Sequence, residues 1–263
     1  SQNFLQAIID NNEEFLTPTS FIQSTHNTVA AQIALGLQCK VYNFTYVNGA
    51  VSFESALIDA KLQIEESEAS AVLVGGIEEL APNRTKLLEL SGEIKDKSAA
   101  PFTIKESATK GAVYSEGSVF FVLADTKQGT TYAELKNLAI YNVLERDEVE
   151  EKAEKFLHAN GLTIDAIDAV ILGYNGDAEC DEYYTRLSAR AFKAIPQLFY
   201  KHLSGEHNSA SAFGLWVAAH IIDTQQVPDV LKFNDITGKR YNNILLYNQY
   251  RGRDHSFTLI VRP

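Results

Sequence analysis

The sequence predicts an α/β protein whose sheet layers are covered by helices. Two observations carry this expectation. Short apolar runs of β type alternate with longer runs of helical period along the chain. A length of 263 residues, with 45% hydrophobic and 22% charged residues, is enough to bury a sizeable core. One large domain, or two fused halves, is expected.

Taken in order, Ser24 and Thr25 are N-cap types ahead of NTVAAQIAL, and Gly36 stands where that helix should stop. CKVYNFTY (39–46) reads as a strand running through a tight turn into a helix in which Phe53, Leu57 and Ala60 recur at helical spacing. Strands follow at SAVLVG (70–75) and GSVFFVLA (117–124). The polar stretch Leu80 to Lys110, broken by Pro82 and Pro101, reads as an irregular loop over a functional face. Beyond it come strands at 131–143, 168–173, 242–249 and 256–262, and a helix in DEVEEKAEKFLHANG that ends at an Asn-Gly stop.

Composition narrows the function. A net charge of −11 argues against nucleic acid or an anionic membrane as partner, because phosphate binding needs a concentrated basic face. No apolar run approaches the roughly 20 residues that span a bilayer, and SQNFLQAIIDNNEEF lacks the features of a signal peptide, so a cytoplasmic location is expected. Cys39 and Cys180 are too far apart for CxxC spacing and read as free thiols. There is no methionine, as expected of a chain that begins inside a longer gene product or has had its methionines substituted.

Several local patterns carry little chemistry. VLVGGIEEL lacks GxGxxG or GKS, and YSEGS is not the GxSxG elbow, with no His partner for Ser115 by spacing. The acidic residues of IEESE and DEVEEKAEK read as solvated helix faces. His26, His202 and His207 show no helical HxxxH spacing, so neither a metal nor a cofactor is predicted.

Five pieces in order nevertheless form a larger pattern: SFIQSTHNTVAAQIAL, YNFTYVNGAVSFESALIDA, AVLVGGIEEL, GAVYSEGSVFFVL and FYKHLSGEHNSASAFGLWVAA. Together they resemble the β-ketoacyl synthase family of the thiolase fold, from about Pro18 onward. The resemblance implies a layered αβαβα architecture of two similar halves, here residues 1–130 and 131–263 as one compact unit. It also implies an N-terminal half that lacks the family's first βαβ segment, a dimer paired through residues 39–46, and acyl groups delivered on acyl carrier protein. Most of this acidic surface would repel such a carrier.

That family condenses acyl groups with one cysteine and two histidines. The resemblance places Tyr46 where the cysteine belongs, Gly173 at the first histidine in GYNGDAECD, and Glu206 at the second in KHLSGEH, with His207 one residue later. A phenol with a pKa of about 10 is a poor acyl acceptor beside a thiol near 8.5. Glycine supplies no imidazole, and an ionised carboxylate cannot donate a hydrogen bond to a developing enolate. The family's glycine-rich loop near the C-terminus corresponds to NQYRGRD, which keeps Gly252 and adds Arg251 and Arg253. No catalytic residue is therefore expected, and Tyr46 reads as a plug. The candidate pocket comprises His26, Asn27, Tyr46, Lys201, His202 and His207.

Plainer roles stand beside these. Tyr46 also fits a core aromatic, His26 and Asn27 a capping pair, Lys201 a solvated charge, Cys39 a buried apolar residue, and Cys180 an incidental thiol whose acidic neighbours raise its pKa. The reading that absorbs the whole pattern is a chain length factor: a non-condensing subunit that pairs with an active ketosynthase in polyketide, aryl polyene or fatty-acid-like biosynthesis. The alternatives are an active 3-oxoacyl-carrier-protein synthase using Cys180, His202 or His207, and a homodimer that binds a free acyl ligand.

Overall fold

A computed structural model describes residues 2–100 and 102–263; Pro101, one of the two prolines in the 80–110 stretch, lies outside them. The chain divides into two compact units, residues 1–47 and 48–263. The first holds three short helices: α1 (Gln2–Asp10), α2 (Pro18–Ser24) and α3 (Thr28–Gly36). Phe4 of α1 and Phe21 of α2 meet with ring centroids 5.4 Å apart. Ser24 proves to be the last residue of α2 and Asn27 the residue at the α3 N-cap, while Thr25 joins the two turns by donating to the Ile22 carbonyl at 2.9 Å. As expected, α3 ends at Gly36.

Residues 39–46 form no strand. They carry no regular secondary structure and bend at Val41, with Val41 77% and Phe44 61% exposed, and among the described residues no strand is paired with them. The alternation that suggests a strand is genuine, but a strand also needs a partner edge for its backbone N–H and C=O groups.

The larger unit opens with α4 (Ser52–Glu65), β1 (Ala71–Glu78), α5 (Pro82–Leu90) and β2 (Gly117–Ala124). β1 and β2 pair antiparallel, Ala71 opposite Ala124 through Glu78 opposite Gly117. The stretch expected to be irregular thus contains a helix. Pro82 sits in its first turn, where its missing N–H costs no hydrogen bond and its fixed φ suits the helix.

After β3 (Glu134–Val143) come α6 (Glu148–Ala159), β4 (Ala169–Leu172), α7 (Glu182–Ala189), β5 (Gln197–Phe199), α8 (Lys201–Ser204), α9 (Ser211–Thr224), β6 (Asn243–Tyr250) and β7 (Arg253–Val261). Five of these make one sheet in the order β3-β7-β6-β4-β5, with β4 parallel to both β5 and β6. Alternate residues point to opposite faces. Ala169, Ile171, Ile244, Leu246 and Ile260 join one core with Phe53, Leu57 and Ala60 of α4 and with α9, while Val170, Leu172, Leu245, Tyr247, Phe257 and Leu259 join a second with α6 and α7. Burial on both faces explains why β4 and β6 read as continuous apolar runs. Phe53, Leu57 and Ala60 therefore serve this core and not a partner surface.

The β6–β7 hairpin turns at Arg251 and Gly252, with φ of +55° and +70°. A Cβ at Gly252 would also stand 2.7 Å from the Tyr183 hydroxyl, so glycine is required there for space as well as conformation.

Hydrogen exchange should separate the regions of the chain. Amides of 40–46 are expected to exchange close to unstructured rates in a dilute sample, while those of β4 and β6 exchange only through global opening. Strong protection of 40–46 at every concentration would show that the segment is paired within the chain.

Candidate functional site

The end of β5 leads into a compact polar site. Lys201 starts α8, and Gly205, at φ +67°, turns the chain so that Glu206 returns toward it. A Cβ at Gly205 would approach both Cβ and Oγ of Ser115 to 2.5 Å. Lys201 Nζ then lies 3.0 and 2.8 Å from the two Glu206 carboxylate oxygens, with side chains only 1% and 2% exposed. Asn175 Nδ2 donates to Glu206 Oε2 at 2.6 Å, and its own Oδ1 accepts from the Asp177 N–H, which sets the amide's direction. Glu206 is further held by its backbone: its N–H donates to the Val113 carbonyl and its carbonyl accepts from Ser115 N–H.

The 173–181 loop is ordered by Asp181, which accepts from the Asn175 and Gly176 N–H groups at 3.1 and 2.8 Å. Burial pushes its carboxyl pKa up to about 7 against those donors. Lys95, also buried, donates to the Gly176 carbonyl, Thr109 Oγ1 and Ser107 Oγ at 2.6, 2.6 and 3.0 Å, tying the 95–109 segment to this loop. Burial lowers its pKa.

Two clefts flank residues 112–115, whose side chains alternate between them. The first, about 570 Å³, is lined by Val113 and Ser115 together with Lys95, Asn175, Lys201, His202, His207 and Phe213. The second, about 490 Å³, is lined by Ala112 and Tyr114 with Glu93, Cys180, Tyr250 and Arg251. Asn175 lines both. In the second cleft the Tyr114 and Tyr250 hydroxyls lie 2.9 Å apart and both bond Glu93, which also pairs with Arg251 at 2.9 Å.

The candidate residues are distributed unevenly. Lys201, His202, Glu206 and His207 come together at the first cleft and its wall. Tyr46, half-buried, and His26 and Asn27, both exposed, belong to the N-terminal unit, where Phe44 and Tyr46 rings pack at 5.1 Å. Gly173 closes against the hydroxyl of Tyr184 and the amide of Asn248: a Cβ there would stand 2.6 and 2.5 Å from these oxygens. Lys201 is not a solvated charge. His202 stacks on Phe199 at 4.0 Å, and burial lowers its pKa. His207 lies 3.3 Å from Ser209 Oγ through Nδ1, and burial followed by the Lys201 charge lowers its pKa to about 4. Burial and then Asp177 push the Cys180 thiol up to about 12, so it is a weak nucleophile. Among the described residues no group of three or more His, Cys, Asp or Glu side chains is gathered as a metal site.

Sequence reasoning missed Lys95 and Asn175. For Lys95 there was no local signal, because its acceptors lie 12, 14 and 81 positions away. Asn175 stands inside the GYNGDAECD motif that was already singled out, and its place beside Gly173 was the available clue.

Two outcomes are expected from this packing. Gly173→Ala should cost about 1–3 kcal/mol through overpacking, and the same change should cost less in a Tyr184→Phe background, where one of the two opposing oxygens is gone; chemical denaturation of both single variants and the double variant checks this. His207 should titrate near pH 4 by NMR. Because its folded pKa lies below the unfolded value, it contributes stability at neutral pH that is lost as pH falls from about 6.5 to 4, while Asp181, raised, acts with the opposite sign between about 4 and 7. Asp181→Asn should therefore uncover a loss of about 1–3 kcal/mol between pH 7 and 4.5 that wild type partly cancels.

Residues 1–100 match the family model described as "Beta-ketoacyl synthase, N-terminal domain". No curated protein sequence matches the chain significantly. Among solved structures, a β-ketoacyl synthase from Burkholderia phymatum STM815 superposes with a TM-score of 0.80 at 16% identity, over 99% of this chain and 72% of that one. The type II polyketide complex AntDE:AntF, an acyl carrier protein with its ketosynthase bound to the hexaketide, gives 0.79 at 18% identity, over 100% and 74%. The ketosynthase ApeO in complex with its chain length factor ApeC, from Xenorhabdus doucetiae, gives 0.76 at 13% identity, over 98% and 71%. No helix among the described residues is long and apolar enough to cross a membrane. Its first 100 residues thus match that family's N-terminal domain, and the chain carries the α/β fold of these β-ketoacyl synthase structures.

Proposed function

We propose that this chain is a non-condensing ketosynthase-like subunit of the chain length factor type. The reading rests above all on Glu206. At the position that the family resemblance assigns to the second histidine, a carboxylate is bonded through both oxygens to Lys201 and through one to Asn175. Such a group has no proton to donate to an enolate and would repel the malonyl carboxylate. Gly173, at the first histidine position, has its Cβ space filled by Tyr184 and Asn248. Tyr46 offers a phenol in place of a thiolate.

The partner in this reading is an active ketosynthase, with acyl carrier protein delivering acyl groups to the pair in the cytoplasm, in a polyketide, aryl polyene or fatty-acid-like pathway. The ApeO–ApeC complex and the AntDE:AntF complex are precedents of the same fold. The exposed apolar side chains of Val41, Tyr42, Phe44 and Val47 support association through this segment. An active synthase built on Cys180 is disfavoured by its raised thiol pKa. Binding of a free acyl ligand gains support from one observation, the apolar lining that Phe102, Ile104, Val113, Val119 and Phe213 give the first cleft.

Incubated alone with acyl and malonyl carrier proteins, the chain should form no covalent acyl adduct and release no carbon dioxide, and Tyr46→Cys should not restore condensation. An acyl mass increment, or turnover by that single variant, sinks the proposal. Association is read separately by light scattering. Wild type should be dimeric alone or with its cognate ketosynthase, and Val41→Glu or Phe44→Glu should weaken assembly by on the order of several kcal/mol, as a buried unpaired charge does. A wild type that stays monomeric under both conditions contradicts the partner-subunit reading.

A further inference from the structure

We propose that Lys201 and Asn175 form a carboxylate-binding site that Glu206 fills from within the chain, closing the first cleft to external alkyl carboxylates. The inference stands on geometry and does not depend on the function proposed above. Lys201 Nζ meets both Glu206 oxygens at 3.0 and 2.8 Å, and Asn175 Nδ2 meets one of them at 2.6 Å. These are the contacts that a bound carboxylate would make. Lys201 and Asn175 both line the cleft, whereas the Glu206 side chain they hold is 2% exposed and is not part of the lining. Lys95, the cleft's other buried ammonium, already donates to neutral oxygens of Ser107, Thr109 and Gly176, which leaves Lys201 as the carboxylate-directed cation.

Without the Glu206 carboxylate, a buried ammonium and a buried amide would lose their acceptor in a wall that faces about 570 Å³ of space. A buried donor left in that state is strongly unfavourable, so an entering carboxylate would be bound in proportion to the deficit it relieves. Ile104, Val113, Val119 and Phe213 continue the lining with apolar surface, which suits an alkyl chain behind the head group. The ligand class is therefore the alkyl carboxylate, which the intact protein excludes because Glu206 already holds both donors.

The test is thermal melting of wild type, Glu206→Ala and the double variant Lys201→Met/Glu206→Ala in sodium chloride and in sodium acetate at matched ionic strength. Glu206→Ala should melt below wild type and regain stability selectively in acetate. Acetate at a hundredfold excess over its dissociation constant should raise the variant's folded-to-unfolded ratio about a hundredfold. Wild type and the double variant should show only the general salt response. An equal acetate response in all three, or no selective response in a folded Glu206→Ala, overturns the proposal. Should Glu206→Ala fail to fold, wild type decides through the NMR signals of Val113, Val119 and Phe213: no shift with octanoate is expected, and saturable octanoate binding at these residues overturns it.

Discussion

The buried ion pair of Lys201 and Glu206 is the contact on which the rest of the site depends. Taking two charges out of water costs several kcal/mol per ion, and the cost is offset only when geometry and added hydrogen bonds are good. Here both conditions are met: each carboxylate oxygen faces the ammonium, Asn175 adds a donor, and the Glu206 backbone is fixed to residues 113 and 115. The pair thereby joins three parts of the chain that are distant in sequence: α8, the 112–115 segment and the 173–181 loop. Gly205 makes the joint possible, since no side chain fits between the turn and Ser115.

This joint has a chemical consequence. A histidine in a condensing site must present a ring nitrogen to substrate and exchange its hydrogen bond during reaction. Glu206 is committed to its neighbours in the ground state and faces inward, with a side chain 2% exposed. Tyr184, whose hydroxyl accepts from Gln249 N–H and donates to the Gln249 carbonyl, occupies the space above Gly173 and pins the β6 end of the hairpin. Two of the positions that the family resemblance singles out are thus filled by structural bonds.

Much of the fold was legible in the sequence because apolar period and burial coincide. β2 spans Gly117–Ala124 as its alternation indicates, and β4, β6 and β7 follow their apolar runs because both sheet faces are covered. β5 was not legible: Gln197–Phe199 is three residues long, too short for any period to declare itself. The 39–46 segment failed for the opposite reason. Its pattern is strand-like, but pairing is a property of two edges, and only one is encoded locally. At the site, Glu206 and Lys201 were visible as residues five positions apart, yet their burial and mutual contact follow from the Gly205 turn and from acceptors and donors contributed by remote loops. Polar networks of this kind are assembled by tertiary structure and carry little local signal.

A double-mutant cycle on Lys201→Met and Glu206→Gln, read as unfolding free energy by chemical denaturation, tests the central claim most directly. If the pair organises the site, each single change should destabilise by about 3–5 kcal/mol, as expected when one partner of a buried pair is removed. The double variant should then lose clearly less than the sum of the two, with a coupling of at least about 1–2 kcal/mol. Single changes that cost almost nothing, or that simply add, would contradict the account.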